Sequence, residues 1–346
     1  MNFNLENTVS KMKKYLDIPS PAGYTDMAVL ECKKDFEELG LECRITNKGG
    51  LIATLKGIDD ENQITISAHM DTLGAMVKEI TPDGKLKYHK IGGGCFAAIE
   101  GENCNVITRK NGDIRGTVTF KYSSTHTYGQ ALAASERTAD NMLIRLDEKV
   151  SCKEDVLDLG IRVGDFIYMD TRFEYTKSGF IKTRYIDNKA AVAIVLELAR
   201  YFKENNIKPE HTTNFFISTY EEVGHGLSKA IPQKTKELVS IDVAPAGDGQ
   251  TSNEYSVCIV AKDKLTVYDS YLRFKLEDIA QDSKINYNID VFNSYGLDAS
   301  QAILWGEDLR FANVGPGIDT SHHYERTHIE AIENTIELLA NYMLTK

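Results

Sequence analysis

A chain of 346 residues is long enough for one large domain or two smaller ones, and its net charge of −11 has the wrong sign for nucleic acid or an anionic membrane as partner. Hydrophobic residues at 42% and charged residues at 26% make an ordinary globular mix, without an apolar run of membrane-spanning length. The opening MNFNLENTVSKMKKYL lacks the apolar centre of a signal peptide, so the expected compartment is the cytoplasm; six cysteines without Cys-x-x-Cys spacing read as buried thiols.

Apolar residues at three- and four-residue spacing predict helices over 4–17 and 25–39, separated by the breaker IPSPAGY. CRITNKGGLIATLKG reads as a hairpin turning at Asn47–Gly50. In ITISAHMDTLG, Ile64, Ile66 and Ala68 alternate with Thr65, Ser67 and His69, which predicts a strand. Its end presents His69 and Asp71, two residues apart and on one side of an extended chain. An imidazole beside a carboxylate suits a metal-ligating histidine oriented by an acid. Between about 75 and 170 the texture is short strands and Pro-Asp-Gly or Asn-Gly turns, with short helices possible only at 138–146 and 151–159. This predicts a small β-barrel-like domain, 75–170, inserted into an α/β domain made of 1–74 and 171–346.

Helical texture returns at Ile186 with IDNKAAVAIVLELARYFKEN. TTNFFISTYEEVGHG is a strand running into Glu221 and Glu222, and ELVSIDVAPAG a strand with Asp242 near its end. A helix over 268–284, strands over 285–292 and 309–314, and a helix over 326–344 complete the chain. Strands and helices alternate, and the acidic groups fall at strand ends, where open α/β sheets bind ligands. Asp187 alone would serve as a helix N-cap, Glu221–Glu222 as a solvated pair, and His322–His323 as a surface loop. Together they make a nitrogen and oxygen ligand set suited to zinc, cobalt or manganese, too large for one tetrahedral ion. Two ions about 3.5–4 Å apart sharing a carboxylate would use it.

In order along nearly the whole chain, AHMDTLG, RYIDNKAAV, YEEVGHG, SIDVAP and DTSHHYERTH resemble the motifs of the dinuclear metallo-aminopeptidases of the glutamyl and deblocking family, which form tetrahedral particles and include relatives named endoglucanase. The resemblance implies a zinc-peptidase-like α/β/α catalytic domain and an inserted domain that serves dimerisation and assembly, giving a dimer-based homododecamer acting on peptides. It implies one metal on His69, Asp187 and Asp242, a second on Glu222 and His322, Asp187 bridging, Asp71 orienting His69, and Glu221 as general base. Asn188 and His323 depart from the family pattern, leaving ligands intact but substrate preference and metal affinity open. The alternatives are a related deacylase or dipeptidase, a glycosidase using the paired glutamates, and a non-catalytic binding or assembly protein.

Overall fold

The computed structural model describes residues 1–346. It divides into two compact units, Met1–Asp71 with Arg172–Lys346, and Thr72–Thr171. This is an α/β unit carrying an inserted small barrel, the fold class expected from the sequence.

The larger unit is built on a nine-stranded mixed sheet. Its main path runs Glu42–Ile45, Leu51–Leu55, His211–Ser218, Asp59–His69, Thr235–Ile241, Arg310–Ile318, Val257–Lys262, Tyr287–Val291. Four consecutive strands of this path, from His211–Ser218 to Arg310–Ile318, are parallel. Ser218 pairs with His69, and Ser240 with Ser67, so three parallel strands end side by side. On one face, Ile66, Ala68, Phe215, Ile217, Val239 and Ile241 join the main core with residues of five helices, Leu5–Leu16, Asp26–Glu38, Ile186–Glu204, Ser270–Asp282 and Ile329–Met343. On the other, Phe216, Leu238, Cys258, Val260 and Phe311 pack with Leu297, Ala299 and Ala302 around the helix Asp298–Leu304. Strands buried on both faces read as continuous apolar runs rather than alternating ones.

The helix Ile186–Glu204 is apolar nearly all round and lies in the core, with Ala190, Ala191, Val192, Ile194, Val195 and Leu198 buried. Its buried Glu197 is satisfied by Arg200 and by the backbone N–H of Asn4. The smaller unit is a closed barrel of six strands, ordered Gly74–Ile80, Leu86–Ile91, Met142–Leu146, Asp113–Phe120, Asn103–Ile107, Phe166–Met169. Its interior is its own core of Val77, Tyr88, Val106, Val118, Ile144 and Ile167. Closure leaves no strand edge open to pairing.

Several elements differ from the sequence reading. The central strand starts at Asp59 and stops at His69, so Asp71 lies in the loop beyond it. Residues 142–146, read as possible helix, are a barrel strand, while Thr125–Tyr128 and Gln130–Ala134 are short helices with no clear periodic signature. The C-terminal helix starts at Ile329; Glu325–His328 before it is a strand paired with Phe180–Thr183. The strand Val257–Lys262 and the helix Asp298–Leu304 were not anticipated. None of the helices is long and apolar enough to cross a membrane.

Candidate metal centre

The three aligned strand ends set the floor of the site. His69 closes the strand Asp59–His69, Glu221 and Glu222 follow the strand His211–Ser218 on a short 3-10 turn, and Asp242 follows Thr235–Ile241. Asp187 comes from the non-helical start of the helix Ile186–Glu204, where Asp187 and Asn188 leave helical geometry and the peptide between them is cis. His322 comes from the loop between Arg310–Ile318 and Glu325–His328. All of these residues belong to the larger unit.

Seven residues singled out from the sequence therefore converge. Asp187 Oδ1 lies 3.1 Å from His69 Nε2, and its Oδ2 lies 3.3 Å from His322 Nε2. Asp242 Oδ2 is 3.8 Å from His69 Nε2, and Glu222 Oε2 is 3.7 Å from His322 Nε2. His69, Asp187 and Asp242 form one triad of ligand-type atoms; Asp187, Glu222 and His322 form another, with the atoms of each within 4.8 Å of one another. Asp187 belongs to both. Glu221 stands beside them, its Oε2 3.8 Å from His69 Nε2 and its Oε1 accepting the backbone N–H of Asp298 at 3.2 Å. The His323 carbonyl accepts from Arg184 at 3.3 Å.

The His69 ring is fixed by an acceptor that sequence reasoning misplaced. Its Nδ1 meets the backbone carbonyl of Asp71 at 2.9 Å, and the Asp71 carboxylate only at 3.5 Å. A carbonyl can only accept, so Nδ1 carries a proton and donates it there, which leaves Nε2, facing Asp187 and Asp242, as the ring nitrogen a metal would take by displacing its proton. The Asp71 carboxylate instead accepts the backbone N–H groups of Glu221 and Glu222, each at 3.1 Å. It holds the paired-glutamate turn as well as neighbouring the imidazole.

The electrostatics are those of concentrated buried negative charge. Burial, followed by neighbouring carboxylates, pushes Glu221, Glu222 and Asp242 well above the usual carboxylate range. Asp187 goes the other way: burial opposes its ionisation, but hydrogen bonds with His322 and His69 hold it below that range. The same contacts, working against burial, raise His69 well above its usual value and His322 to about 10. Buried carboxylates crowded this closely call for cations. Glu222 Oε1 is buried without a hydrogen-bond partner. An acceptor with no donor, two triads and a mixed nitrogen and oxygen donor set all fit divalent ions.

Three further buried groups border the centre without having stood out in the sequence. Lys189 is almost fully buried and donates to Met70 O at 2.6 Å and Ser20 Oγ at 2.5 Å, bracing the turn between His69 and Asp71. Burial pushes its ammonium down to about 7. Asp298, raised to about 6 chiefly by burial, begins the helix whose first N–H reaches Glu221. Glu325 is buried and accepts the backbone N–H of Asp187 and of His322, each at 3.0 Å. Lys189 and Glu325 carry one sequence signal, a charged residue within three positions of a candidate ligand; Asp298 carries none.

A family model described as M42 glutamyl aminopeptidase matches residues 49–338. YhfE of Bacillus subtilis (strain 168), which carries an aminopeptidase name, is 43% identical over 340 residues, 98% of each chain. The lysyl aminopeptidase of Pyrococcus furiosus is 26% identical over 216 residues, covering 62% of this chain and 59% of its own. Among solved structures, the TET1 peptidase of Pyrococcus horikoshii, described as assembling into a tetrahedron or a large octahedral shell, superposes with a TM-score of 0.86 at 23% identity, over 98% of this chain and 100% of its own. An endoglucanase from Thermotoga maritima superposes at 0.74 with 16% identity, over 99% of this chain and 97% of its own. The family match spans the chain from before His69 to beyond His322, every candidate ligand included, and on it this chain belongs to the M42 glutamyl aminopeptidase family.

Proposed function

We propose that this chain is a two-metal aminopeptidase that removes N-terminal residues from peptides. The observation that carries the reading is Asp187, whose two oxygens face two different histidines and two different triads. His69 and Asp242 would complete one ion's ligands, and Glu222 and His322 the other's, zinc being the first choice and cobalt or manganese the next. Such ions would polarise the scissile carbonyl and make water acidic enough to attack it near neutral pH.

Glu221 is assigned the proton work. Its Oε1 is held by the Asp298 N–H, which leaves Oε2 toward the centre. Burial and acidic neighbours raise its proton affinity, as suits a group that takes a proton from the attacking water and returns it to the leaving amine. Asp71 fixes the Glu221 and Glu222 backbones, and its carbonyl fixes the His69 tautomer. The inserted barrel, Thr72–Thr171, is proposed as the self-association domain, by analogy with the large particles of the TET relatives.

The test is metal content and turnover of Glu221→Gln and Glu222→Gln beside the wild type, on a panel of free peptides and N-acetyl amino acids. Wild type should hold two ions per chain and cleave only substrates with a free α-amine. Glu221→Gln should keep its ions and lose roughly 10²–10⁴-fold in kcat. Glu222→Gln should lose or loosen one ion, with partial rescue by added metal. If Glu221→Gln empties a site while Glu222→Gln stays full and inert, the two roles exchange. Preference for the N-acetyl compounds would favour the deacylase reading.

A further inference from the structure

The geometry points to Glu325 as a positioning residue that sets the second ion's ligands from the backbone side, an inference that rests on the two-metal reading. Glu325 opens the strand Glu325–His328 and pairs with Thr183, which places it just below the chain segment leading to Asp187. It is only 2% exposed. Its two oxygens are divided between two amides: Oε1 accepts from His322 and Oε2 from Asp187, both at 3.0 Å. One buried carboxylate thus joins two residues that are far apart in sequence and that face each other across 3.3 Å, His322 Nε2 to Asp187 Oδ2.

His322 needs such a tie. Its φ is +63°, in the left-handed region that side chains other than glycine rarely adopt, and Thr320 two residues earlier has φ +59°. A residue in that region persists only where its surroundings over-determine it. The loop is pinned at its base by paired backbone hydrogen bonds between Asp319 and Arg326, and His323 N–H reaches Thr320 O at 3.1 Å. At the His322 amide itself the partner is Glu325. Asp71 does the corresponding work on the opposite side, with its two oxygens on the amides of Glu221 and Glu222. The two carboxylates hold four residues of the centre by backbone, leaving the side chains of those residues for chemistry.

Glutamate suits this position and glutamine does not. Both amides donate, and a glutamine offers one acceptor oxygen and one NH₂ that would face an N–H. The variant Glu325→Gln preserves size while breaking one tie. In metal-free protein titrated with cobalt against a competing chelator, one of the two binding steps of wild type, the one assigned to Glu222 and His322, should fall roughly 10–100-fold in affinity, the usual cost of losing a partner behind a ligand. The other step, which shares only Asp187 with the Glu325 ties, and the melting temperature of the metal-free protein should change less. Glu325→Asp keeps two acceptor oxygens but is one methylene too short to span both amides, so it should lie between. Amide hydrogen exchange supplies a readout free of metal: the His322 N–H should be protected in metal-free wild type and exposed in Glu325→Gln.

Unchanged cobalt affinities in Glu325→Gln would overturn the assignment, as would an equal weakening of both steps in parallel with a lowered melting temperature, which marks a merely structural residue. If wild type binds only one ion, the two-metal reading fails by itself, and exchange at His322 then decides the tie alone. If neither variant folds, rapid exchange of the His322 amide in wild type overturns it.

Discussion

His322 and His323 are neighbours, but the left-handed turn at His322 sends one ring to Asp187 and leaves His323 contributing a carbonyl to Arg184. His322→Ala should therefore lower metal occupancy far more than His323→Ala, measured by elemental analysis after dialysis against limiting zinc. The reverse ranking would shift the ligand by one residue. At this scale the sequence told much about which residues meet and less about which atoms do. His-x-Asp in AHMDTLG was legible as a pair, but the strand stops at His69, so the carbonyl of Asp71 takes the ring N–H and its carboxylate turns to the Glu221 and Glu222 amides. Glu325 was legible only as a charged residue three positions after His322, because it acts on backbone N–H groups, one of them 138 positions away, that no side-chain pattern announces.

Among elements, the parallel strands beneath the centre are packed so closely that one added carbon would reach the ligands. A Cβ on Gly315 would lie 1.8 Å from the backbone oxygen of Asp242, whose own N–H is bonded to Val314 O at 3.0 Å. Gly315→Ala must push the Asp242 segment aside. The expected loss is about 1–3 kcal/mol of stability, the usual cost of overpacking, together with weaker binding of the ion assigned to His69 and Asp242. Gly247→Ala, where nothing lies within 4 Å of the added carbon, is the control and should leave both unchanged. Thermal melting and cobalt titration of the two variants check this; an undisturbed Gly315→Ala would show the strands free to part. Long periodic elements were read correctly because helices such as Ile186–Glu204 declare themselves over many turns. The strand Val257–Lys262 was missed because it lies inside the sheet, where burial on both faces removes the alternation that marks a strand. Glu325–His328 was absorbed into the following helix because four residues carry no period of their own.

For the whole molecule, the two units have separate cores, and every candidate ligand lies in the larger one. Replacing residues 72–171 with a short flexible linker should therefore leave a chain that still binds metal but sediments as a smaller species than the intact protein. A large particle of unchanged size would remove the proposed assembly role from the barrel. The change from helical to strand-and-turn texture announced a β-rich stretch; closure into a barrel depends on pairing between distant strands, such as Asn103–Ile107 with Phe166–Met169, which local patterns do not encode.

The order of strands in the sheet also bears on synthesis. Asp59–His69 is made early, yet its two neighbours, His211–Ser218 and Thr235–Ile241, are translated only after the entire barrel. A nascent chain holding His69 and Asp71 has neither flanking strand, and one that has reached Asp242 still lacks His322. The ligand set is thus spread across the reading frame so that no partial translation product contains a complete centre. A hydrolase that degrades peptides would in this way stay silent while its own polypeptide is still emerging, and would switch on only when the last loop is in place.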